Sequence, residues 1–301
     1  MINKKLLIIA AACVLLSACG QNAAQTPHQS ATQTHEAKTP PSSPPAKTEN
    51  SNPSGKNETG SSESSTSGQS QPTDSKQEVS KPPAVKYHMN KAYNIVPNEE
   101  GTESKVVLLT FDDGPKKKEW INSIIDVLDK HHAKAIFFVN GYRVKENPDL
   151  LKLIHDRGQP IGNHSWDHIS LKSEPLAKVT KQIVDVQNIV KEVTGASPVF
   201  FRPPFGEGGE VGRKVAREHR LLYMTWSNGS LDWTLKSKDK ATNPDKVIKN
   251  VLDQLHPGAN ILMHELPWTV EALDTLLTKL EEKGYHFVDP ASISVEPAAG
   301  G

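Results

Sequence analysis

The 301-residue chain has only two cysteines, few aromatic residues and no net charge. Cys13 and Cys19 both lie near the N-terminus, which excludes a disulfide framework in a folded domain. Its 35 Lys and Arg residues balance 35 Asp and Glu residues. Nucleic-acid-binding proteins normally present a basic face, so this balance argues against nucleic acid as a partner.

Large apolar side chains are also nearly absent from residues 20–84, which consist mainly of Ser, Thr, Pro, Gln, Asn, Gly and Ala. Such a segment cannot bury enough apolar surface to offset the entropy lost on ordering. We therefore expect residues 19–84 to form a disordered tether with a root-mean-square span of about 45 Å. A solubilising spacer with no requirement for reach is the alternative. The remainder, residues 85–301 with a core at 104–289, has the size of one domain.

Residues 1–18 have the pattern of a secretory signal, with two lysines before an apolar run at residues 6–16. That run is too short for a typical transmembrane helix. The Leu-Ser-Ala-Cys sequence of residues 16–19 resembles the bacterial lipoprotein box, in which the cysteine becomes the lipidated N-terminus. This resemblance implies a palmitate-type lipid on Cys19 and anchorage at the extracytoplasmic face of the cell membrane. An ordinary signal peptide cut nearby, or an uncleaved anchor, is the alternative.

The folded region alternates short apolar runs with helical patterns. The apolar runs predict strands at residues 106–110, 135–139, 160–162, 199–201, 221–226, 260–263 and 285–288. Helical spacing predicts helices at residues 120–128, 150–156, 174–193, 211–217, 244–255 and 270–283. Continuous apolar strands alternating with helices predict an α/β protein with a parallel sheet. The repeated strand–helix units favour a distorted or incomplete (β/α) barrel in a single domain, with an open doubly wound sheet as the alternative.

Polar residues suited to chemistry follow the predicted strand ends, where parallel α/β proteins build their sites. Asp112 and Asp113 lie in the Thr-Phe-Asp-Asp-Gly-Pro sequence of residues 110–115, which alone is typical of a capped turn. His164 and His168 are four residues apart, a spacing that places both imidazoles on one face of a helical turn. Together the two segments predict a metal site of two His and one Asp, open to water and substrate like catalytic zinc.

Two further segments carry candidate catalytic groups. The prolines in the Phe-Arg-Pro-Pro-Phe-Gly sequence of residues 201–206 stiffen the loop, so that the Phe205 N–H points in a fixed direction. Arg202 can hold a carboxylate ionised, although a proline turn with a surface arginine is the alternative. His264 follows an apolar strand and becomes a general-acid candidate if an aspartate such as Asp232 orients it. A lone histidine at that position would usually be structural.

These motifs, in this order, resemble the polysaccharide deacetylase family, the NodB-homology carbohydrate esterases of family 4. The resemblance covers about residues 104–289 and includes the Ala-Ile-Phe-Phe-Val-Asn-Gly sequence of residues 135–141 and the Lys-Gly-Tyr-His-Phe-Val sequence of residues 283–288. The family fold is a distorted (β/α) barrel. The implied activity is hydrolysis of the N-acetyl groups of a polysaccharide, which are linear amides and not peptide bonds.

The resemblance also implies a role for each matched residue. The implied ligands of one divalent metal ion, commonly Zn²⁺ with Co²⁺, Ni²⁺ or Mn²⁺ as alternatives, are Asp113, His164 and His168. The implied catalytic residues are Asp112 as general base, His264 as the acid for the leaving amine, Asp232 orienting His264, and Arg202 steadying Asp112. The backbone N–H of Phe205 would stabilise the oxyanion. The groove for the acetyl methyl group would include Pro203, Trp233 and Leu262.

Two positions depart from the family pattern. Phe205 stands where the family normally has Tyr, and little loss is expected because the implied role uses the backbone. Gly229 stands where the family normally has Asp, three residues before Asp232. Loss of that carboxylate leaves room for an alternative, a catalytically impaired protein of this fold that binds wall glycan and supports envelope integrity.

Anchorage outside the membrane would place the domain close to peptidoglycan. The expected substrate is therefore N-acetylglucosamine or N-acetylmuramic acid in that polymer, with a chitin-like oligomer, another acetylated surface polymer or an O-acetyl ester as alternatives. A phosphoesterase on a similar barrel ranks last, because such sites usually use more carboxylate ligands to hold a second metal.

Overall fold

Short strands and amphipathic helices alternate through residues 83–295, the part of the chain that the computed structural model describes. The strands are β1 (Tyr87–Met89), β2 (Ile95–Pro97), β3 (Val106–Gly114), β4 (Ala135–Val139), β5 (Ile161–Asn163), β6 (Phe200–Phe201), β7 (Leu222–Tyr223), β8 (Asn228–Gly229), β9 (Ala259–His264) and β10 (His286–Phe287). The helices are α1 (Lys118–Lys130), α2 (Gly141–Glu146), α3 (Pro148–Asp156), α4 (Leu176–Thr194), α5 (Gly209–Glu218), α6 (Asn243–Asp253) and α7 (Pro267–Glu282). The predicted signal, Cys19 and nearly all of the tether lie outside the described residues.

The main sheet is parallel and runs in the order β7-β6-β5-β4-β3-β9-β8, with β10 also pairing with β3. Within residues 83–295 the end strands β7 and β8 do not pair with each other, so the sheet curls into a half-barrel with helices packed against it. The predicted incomplete (β/α) barrel of parallel strands is confirmed. No helix in this part of the chain combines the length and apolar content needed to cross a bilayer.

Several local predictions differ from the structure. The antiparallel hairpin of β1 and β2 and the short helix α2 were not predicted, because their apolar patterns are too brief to show a period. Of the strand predicted at residues 221–226, only β7 (Leu222–Tyr223) forms; a loop follows it, and the short strand β8 beyond that loop was not predicted. In that loop the Thr225 carbonyl accepts side-chain hydrogen bonds from Arg202 (2.9 Å) and Asn260 (3.0 Å).

The alternation of side chains along β3 and β9 places the candidate site. Val107, Leu109 and Phe111 of β3 pack in the core formed with the helices, so Asp112 projects from the opposite, concave face. The side chains of β9 alternate in the same way, with Ile261 and Met263 in that core and His264 on the opposite face. The strand register pairs Asp112 with His264. Adjacent strands lie about 4.8 Å apart, so the two candidate catalytic residues stand side by side on the concave face.

Candidate active site

Asp113, in the last residues of β3, converges with His164 and His168, which follow the carboxyl end of β5. The His168 Nε2 atom lies 2.9 Å from Asp113 Oδ1, and the His164 Nε2 atom lies 3.4 Å from the same oxygen. One ligand atom from each of the three side chains falls within 4.8 Å of the others. The predicted ligand set is therefore brought together at one point.

The loop that carries both histidines is not helical, so the predicted helical turn is wrong. Ser165 and His168 have left-handed backbone conformations, with φ values of 61° and 54°. Asn163 Oδ1 accepts a hydrogen bond from the Ser165 N–H at 3.0 Å, and Asn140 Nδ2 donates one to the His164 carbonyl at 2.8 Å. Because these buried amides replace helical hydrogen bonds, the loop bends back and both rings face Asp113.

The hydrogen bonds of the cluster fit a bound cation. His164 Nδ1 lies 2.7 Å from the Arg202 carbonyl and must donate to it, which leaves an Nε2 lone pair directed towards Asp113. Asp113 Oδ1 is buried and has no hydrogen-bond partner among the described residues. Burial alone would raise the pKa of Asp113, but the adjacent His164 and His168 hold it well below its usual value. Two imidazoles and an ionised carboxylate form a donor set that zinc prefers.

Asp112 is buried beside this cluster and is held by Arg202. Arg202 Nη1 donates to Asp112 Oδ1 at 2.7 Å, while the other oxygen, Oδ2, lies 3.6 Å from His164 Nε2. Burial lowers the pKa of Arg202 and the Asp112 carboxylate opposes that shift. Since a guanidinium stays charged in proteins, Asp112 faces a permanent cation on one side. On its other side lie the proposed metal ligands, of which His164 is the nearer histidine.

Arg202 is fully buried, so the alternative of a surface arginine is wrong. It also donates to Thr110 Oγ1 at 2.8 Å and to Asn260 Oδ1 at 3.1 Å, and its guanidinium lies 4.4 Å from the centre of the Phe138 ring. The sequence analysis missed Thr110 and Asn260. The available signal was that each is a polar residue in an otherwise apolar strand. A buried hydroxyl or amide needs a buried hydrogen-bond partner, so both positions indicated a polar contact inside the fold.

His264 and Asp232 form a second pair across the site. His264 Nδ1 donates to Asp232 Oδ1 at 2.7 Å, so Nε2 faces the cluster, 4.0 Å from Asp113 Oδ2. Burial lowers the pKa of His264, but the negative charges of Asp232, Asp112 and Asp113 outweigh it and raise the pKa above its usual value. His264 therefore holds its proton more strongly than a free imidazole does.

The start of α7 braces Asp232, a feature that the sequence analysis missed. Thr269 Oγ1 donates to Asp232 Oδ2 at 2.7 Å, and Trp268 Nε1 donates to the Asp232 carbonyl at 2.9 Å. The His264 N–H also donates to Asp232 Oδ2, at 2.7 Å. Both carboxylate oxygens thus have partners without any acid at position 229, where a Cβ would lie 3.5 Å from Trp233.

Exposed apolar side chains surround the site. Phe205 is 61% exposed with its ring 4.7 Å from that of His168, and Trp233 is 43% exposed with its ring 5.4 Å from that of His264. Of the predicted groove residues, Trp233 is thus accessible, whereas Pro203 and Leu262 are buried beneath the surface. Flat aromatic faces beside polar groups suit contact with a sugar ring, which has both apolar and hydroxyl surfaces.

Backbone strain is concentrated in the same loops. Asp113 (φ 65°), Phe205 (φ 60°) and Leu231 (φ 54°) adopt the left-handed conformation that glycine favours. Each such residue costs of the order of 1–3 kcal/mol, which the surrounding packing must supply. Phe205 is one of these residues, and its exposed ring lies against His168.

This fold and site define the polysaccharide deacetylases, whose family pattern matches residues 99–224. The chain belongs to that family. It is 40% identical over 186 residues to the peptidoglycan-N-acetylglucosamine deacetylase PgdA of Listeria monocytogenes, a match covering 62% of this chain and 38% of that protein. It is 36% identical over 191 residues to the peptidoglycan-N-acetylmuramic acid deacetylase PdaA of Bacillus subtilis, covering 62% of this chain and 70% of that protein.

Solved structures share the fold. The Bc1960 peptidoglycan N-acetylglucosamine deacetylase has 33% sequence identity and a TM-score of 0.59, covering 65% of this chain and 92% of that one. BA3943 of Bacillus anthracis, a family 4 pseudoenzyme, has 33% identity and a TM-score of 0.57, covering 62% of this chain and 63% of that one. The chain therefore resembles proteins named as deacetylases and a pseudoenzyme alike.

Proposed function

We propose that this protein is a metal-dependent hydrolase that removes N-acetyl groups from the N-acetylhexosamine residues of peptidoglycan. One observation carries the proposal. A cation-ready cluster of Asp113, His164 and His168 lies between a carboxylate paired with arginine and a histidine oriented by a buried aspartate. Base and acid thus lie on either side of one position where an amide carbonyl can be held, as acyl transfer to water requires.

The proposed reaction divides among these side chains. A divalent metal held by Asp113, His164 and His168 would supply Lewis acidity to polarise the amide carbonyl. Asp112 takes a proton from the attacking water, and its ion pair with Arg202 fixes its orientation for that step. The Phe205 N–H donates to the carbonyl oxygen as it gains charge. His264 gives its Nε2 proton to the leaving nitrogen, so that water and an amide become acetate and an amine.

The substrate is inferred from location and relatedness. Relatives named as peptidoglycan-N-acetylglucosamine and peptidoglycan-N-acetylmuramic acid deacetylases support a wall glycan. We favour N-acetylglucosamine or N-acetylmuramic acid in peptidoglycan over a chitin-like oligomer. An exposed aromatic rim suits a polymer that lies across the surface rather than a small molecule enclosed in a cavity.

The test of this function uses the full chain in its Cys19→Ser form, loaded with zinc, and separately offers purified peptidoglycan and N-acetylglucosamine oligomers. We expect acetate and new amines, both quantified by mass spectrometry, from peptidoglycan. Asp112→Asn should abolish turnover while zinc remains bound, because Asp112 is the base and not a ligand. If Asp112→Asn also lost the metal, the roles of Asp112 and Asp113 would be exchanged.

Anchorage through Cys19 is part of the proposal and explains how the domain meets the wall. We expect wild-type protein in the membrane fraction and Cys19→Ser protein in the soluble fraction of its host, because acyl chains supply the membrane affinity. Immunoblots of the two fractions measure this, with Cys13→Ser as the matched control. Cys19→Ser protein that stayed with the membrane would identify residues 6–16 as the anchor.

A glycan-binding protein without turnover is the second candidate, favoured by Gly229 and by the similarity to a pseudoenzyme. It predicts that zinc-loaded protein sediments with peptidoglycan while releasing no acetate from either substrate. Acetate release lost in Asp112→Asn would reject it.

A further inference from the structure

The segment that follows β9 contains a buried acid with no part in the chemistry described above. Glu265 is fully buried although it adjoins His264 in sequence. Its side chain reaches across to the loop after β3, where its Oε2 accepts a hydrogen bond from the Lys116 N–H at 2.7 Å. A carboxyl group is rarely placed in such surroundings without a defined partner.

The second oxygen of this carboxyl lies against Gly114. A Cβ atom built on Gly114 would lie only 2.3 Å from Glu265 Oε1, so the backbone and the carboxyl are closely packed. Gly114 is held from the other side as well, because its carbonyl accepts the Asn140 N–H at 3.0 Å. The loop of residues 113–116, formed by the last two residues of β3 and the two that follow them, is thus held from both sides, by Glu265 after β9 and by Asn140 after β4.

This loop needs external support. It begins with Asp113, whose left-handed backbone (φ 65°) directs the side chain towards the two histidines, while the preceding Asp112 turns towards Arg202. A strained residue keeps its conformation only where its surroundings hold it. Glu265 supplies such a contact to Lys116, three residues after Asp113.

We propose that Glu265 is a positioning residue that holds the loop of residues 113–116, and with it the Asp113 ligand and the Asp112 base, in register with His264. The turnover part of this inference rests on the function proposed above; the metal-binding part does not. Because Glu265 directly follows His264, one short segment both positions the proton donor His264 and supports the loop of residues 113–116, which follows the base Asp112. The supporting group is the acceptor oxygen, so glutamine should serve in its place.

Burial is consistent with a role that needs no charge. It raises the pKa of Glu265 to about 7, against the opposing effects of the Lys116 N–H and the cations of Lys116 and Arg143. Protonated or ionised, the group keeps an oxygen that accepts from Lys116.

Substitutions at Glu265 test the proposal through zinc affinity, measured by competition with a chelator, and through kcat and KM. Loss of a residue that supports a metal ligand typically costs about 10–100-fold in metal affinity or activity. We expect Glu265→Ala to lower both zinc affinity and kcat in that range with little change in KM, because Glu265 does not reach the surface. Glu265→Gln should restore both to within about threefold. Glu271→Ala, an exposed acid on α7, is the matched control.

Gly114→Ala tests the same contact without removing the acid, and remains informative if Glu265→Ala folds poorly. The added methyl group should displace the Glu265 carboxyl from Lys116 and reproduce the loss. In the Glu265→Ala background the same methyl group meets no carboxyl, so the double variant should be no worse than Glu265→Ala. Independent, additive losses at the two positions would overturn the proposal.

Two other outcomes would overturn the positioning role, and a third would separate it from the proposed function. Wild-type zinc affinity and kcat in folded Glu265→Ala would overturn the positioning role. Equal impairment of Glu265→Gln and Glu265→Ala would also overturn it, since a charge rather than an acceptor would then be required. If the wild-type chain deacetylated neither substrate, the proposed function would fail, while reduced zinc affinity in Glu265→Ala, restored by glutamine, would still support the positioning role.

Discussion

Arg202 shows at the scale of one residue how a buried charge serves the site. Its guanidinium is fully buried between Asp112 and the acceptors Thr110, Thr225 and Asn260. The planar fork of donors matches these positions, which a lysine ammonium would not do. The same guanidinium also pairs with Asp112 and fixes where that carboxylate points, so structural and catalytic roles coincide in one side chain.

Arg202→Met should destabilise the protein by about 3–5 kcal/mol, because it leaves the Asp112 carboxylate buried and unpaired. Urea unfolding measured against wild type checks this. Arg157→Met is the control: Arg157 pairs with Asp126 and Asp129 at the surface, where loss of the ion pairs should cost about 1 kcal/mol or less. Adding Asp112→Asn to Arg202→Met should recover part of the loss, and a further loss would contradict the assigned pairing.

At the scale of the element, strand periodicity and helix termination organise the molecule. The shared phase of β3 and β9 turns apolar side chains to the helices and places Asp112 and His264 together on the concave face. Helix α4 ends at Thr194, and the Gly195 that follows adopts a left-handed conformation (φ 84°), as glycine commonly does after a helix. Nothing lies within 4 Å of a Cβ at that position, so the backbone conformation alone requires glycine there.

Gly195→Ala should therefore destabilise the protein by about 1 kcal/mol, because the left-handed conformation is unfavourable for alanine and the added methyl group gains no contacts. Gly212→Ala is the matched variant, because Gly212 lies inside α5 with ordinary helical geometry and equally free space around a Cβ. It should stabilise by about 0.5–1 kcal/mol. Urea denaturation of both proteins measures the difference, and a shift of the same sign in both would contradict the conformational explanation.

On the scale of the whole molecule, the site is assembled by the curl of the sheet. Residues of β3, the β5–α4 loop, the β6–α5 loop and β9 meet at one edge of the half-barrel. A metal bound there would connect Asp113, at the end of β3, directly with the two histidines of the β5–α4 loop. Metal binding should consequently stabilise the entire fold, because the site exists only in the folded chain.

Zinc at about one hundred times its dissociation constant should stabilise the protein by about 2.7 kcal/mol and raise the melting temperature accordingly. Differential scanning calorimetry across a zinc titration measures this. Asp113→Ala should abolish the shift, whereas His219→Ala, an exposed histidine away from the cluster, should retain it. An unchanged shift in Asp113→Ala would place the stabilising ion elsewhere.

Local patterns were sufficient for much of this protein. The apolar runs located the principal strands, the helical spacings located α1 and α3 to α7, and the polar residues after strand ends marked the site. These features follow from side-chain periodicity and strand-end chemistry, which act over a few residues. Periodicity failed where elements are too short to repeat, as in α2 and the β1–β2 hairpin.

The sequence by itself determined the class of fold and the residue types available to the site. The family resemblance already paired Arg202 with Asp112, 90 positions away in the chain, but only the tertiary structure showed that this pair is buried and that Thr269 and Glu265 support Asp232 and the loop of residues 113–116. The tertiary structure also replaced the predicted helical turn at His164 and His168 with a bent loop. Those outcomes depend on hydrogen bonds between segments distant in sequence, which form because buried polar groups must find partners once the sheet curls.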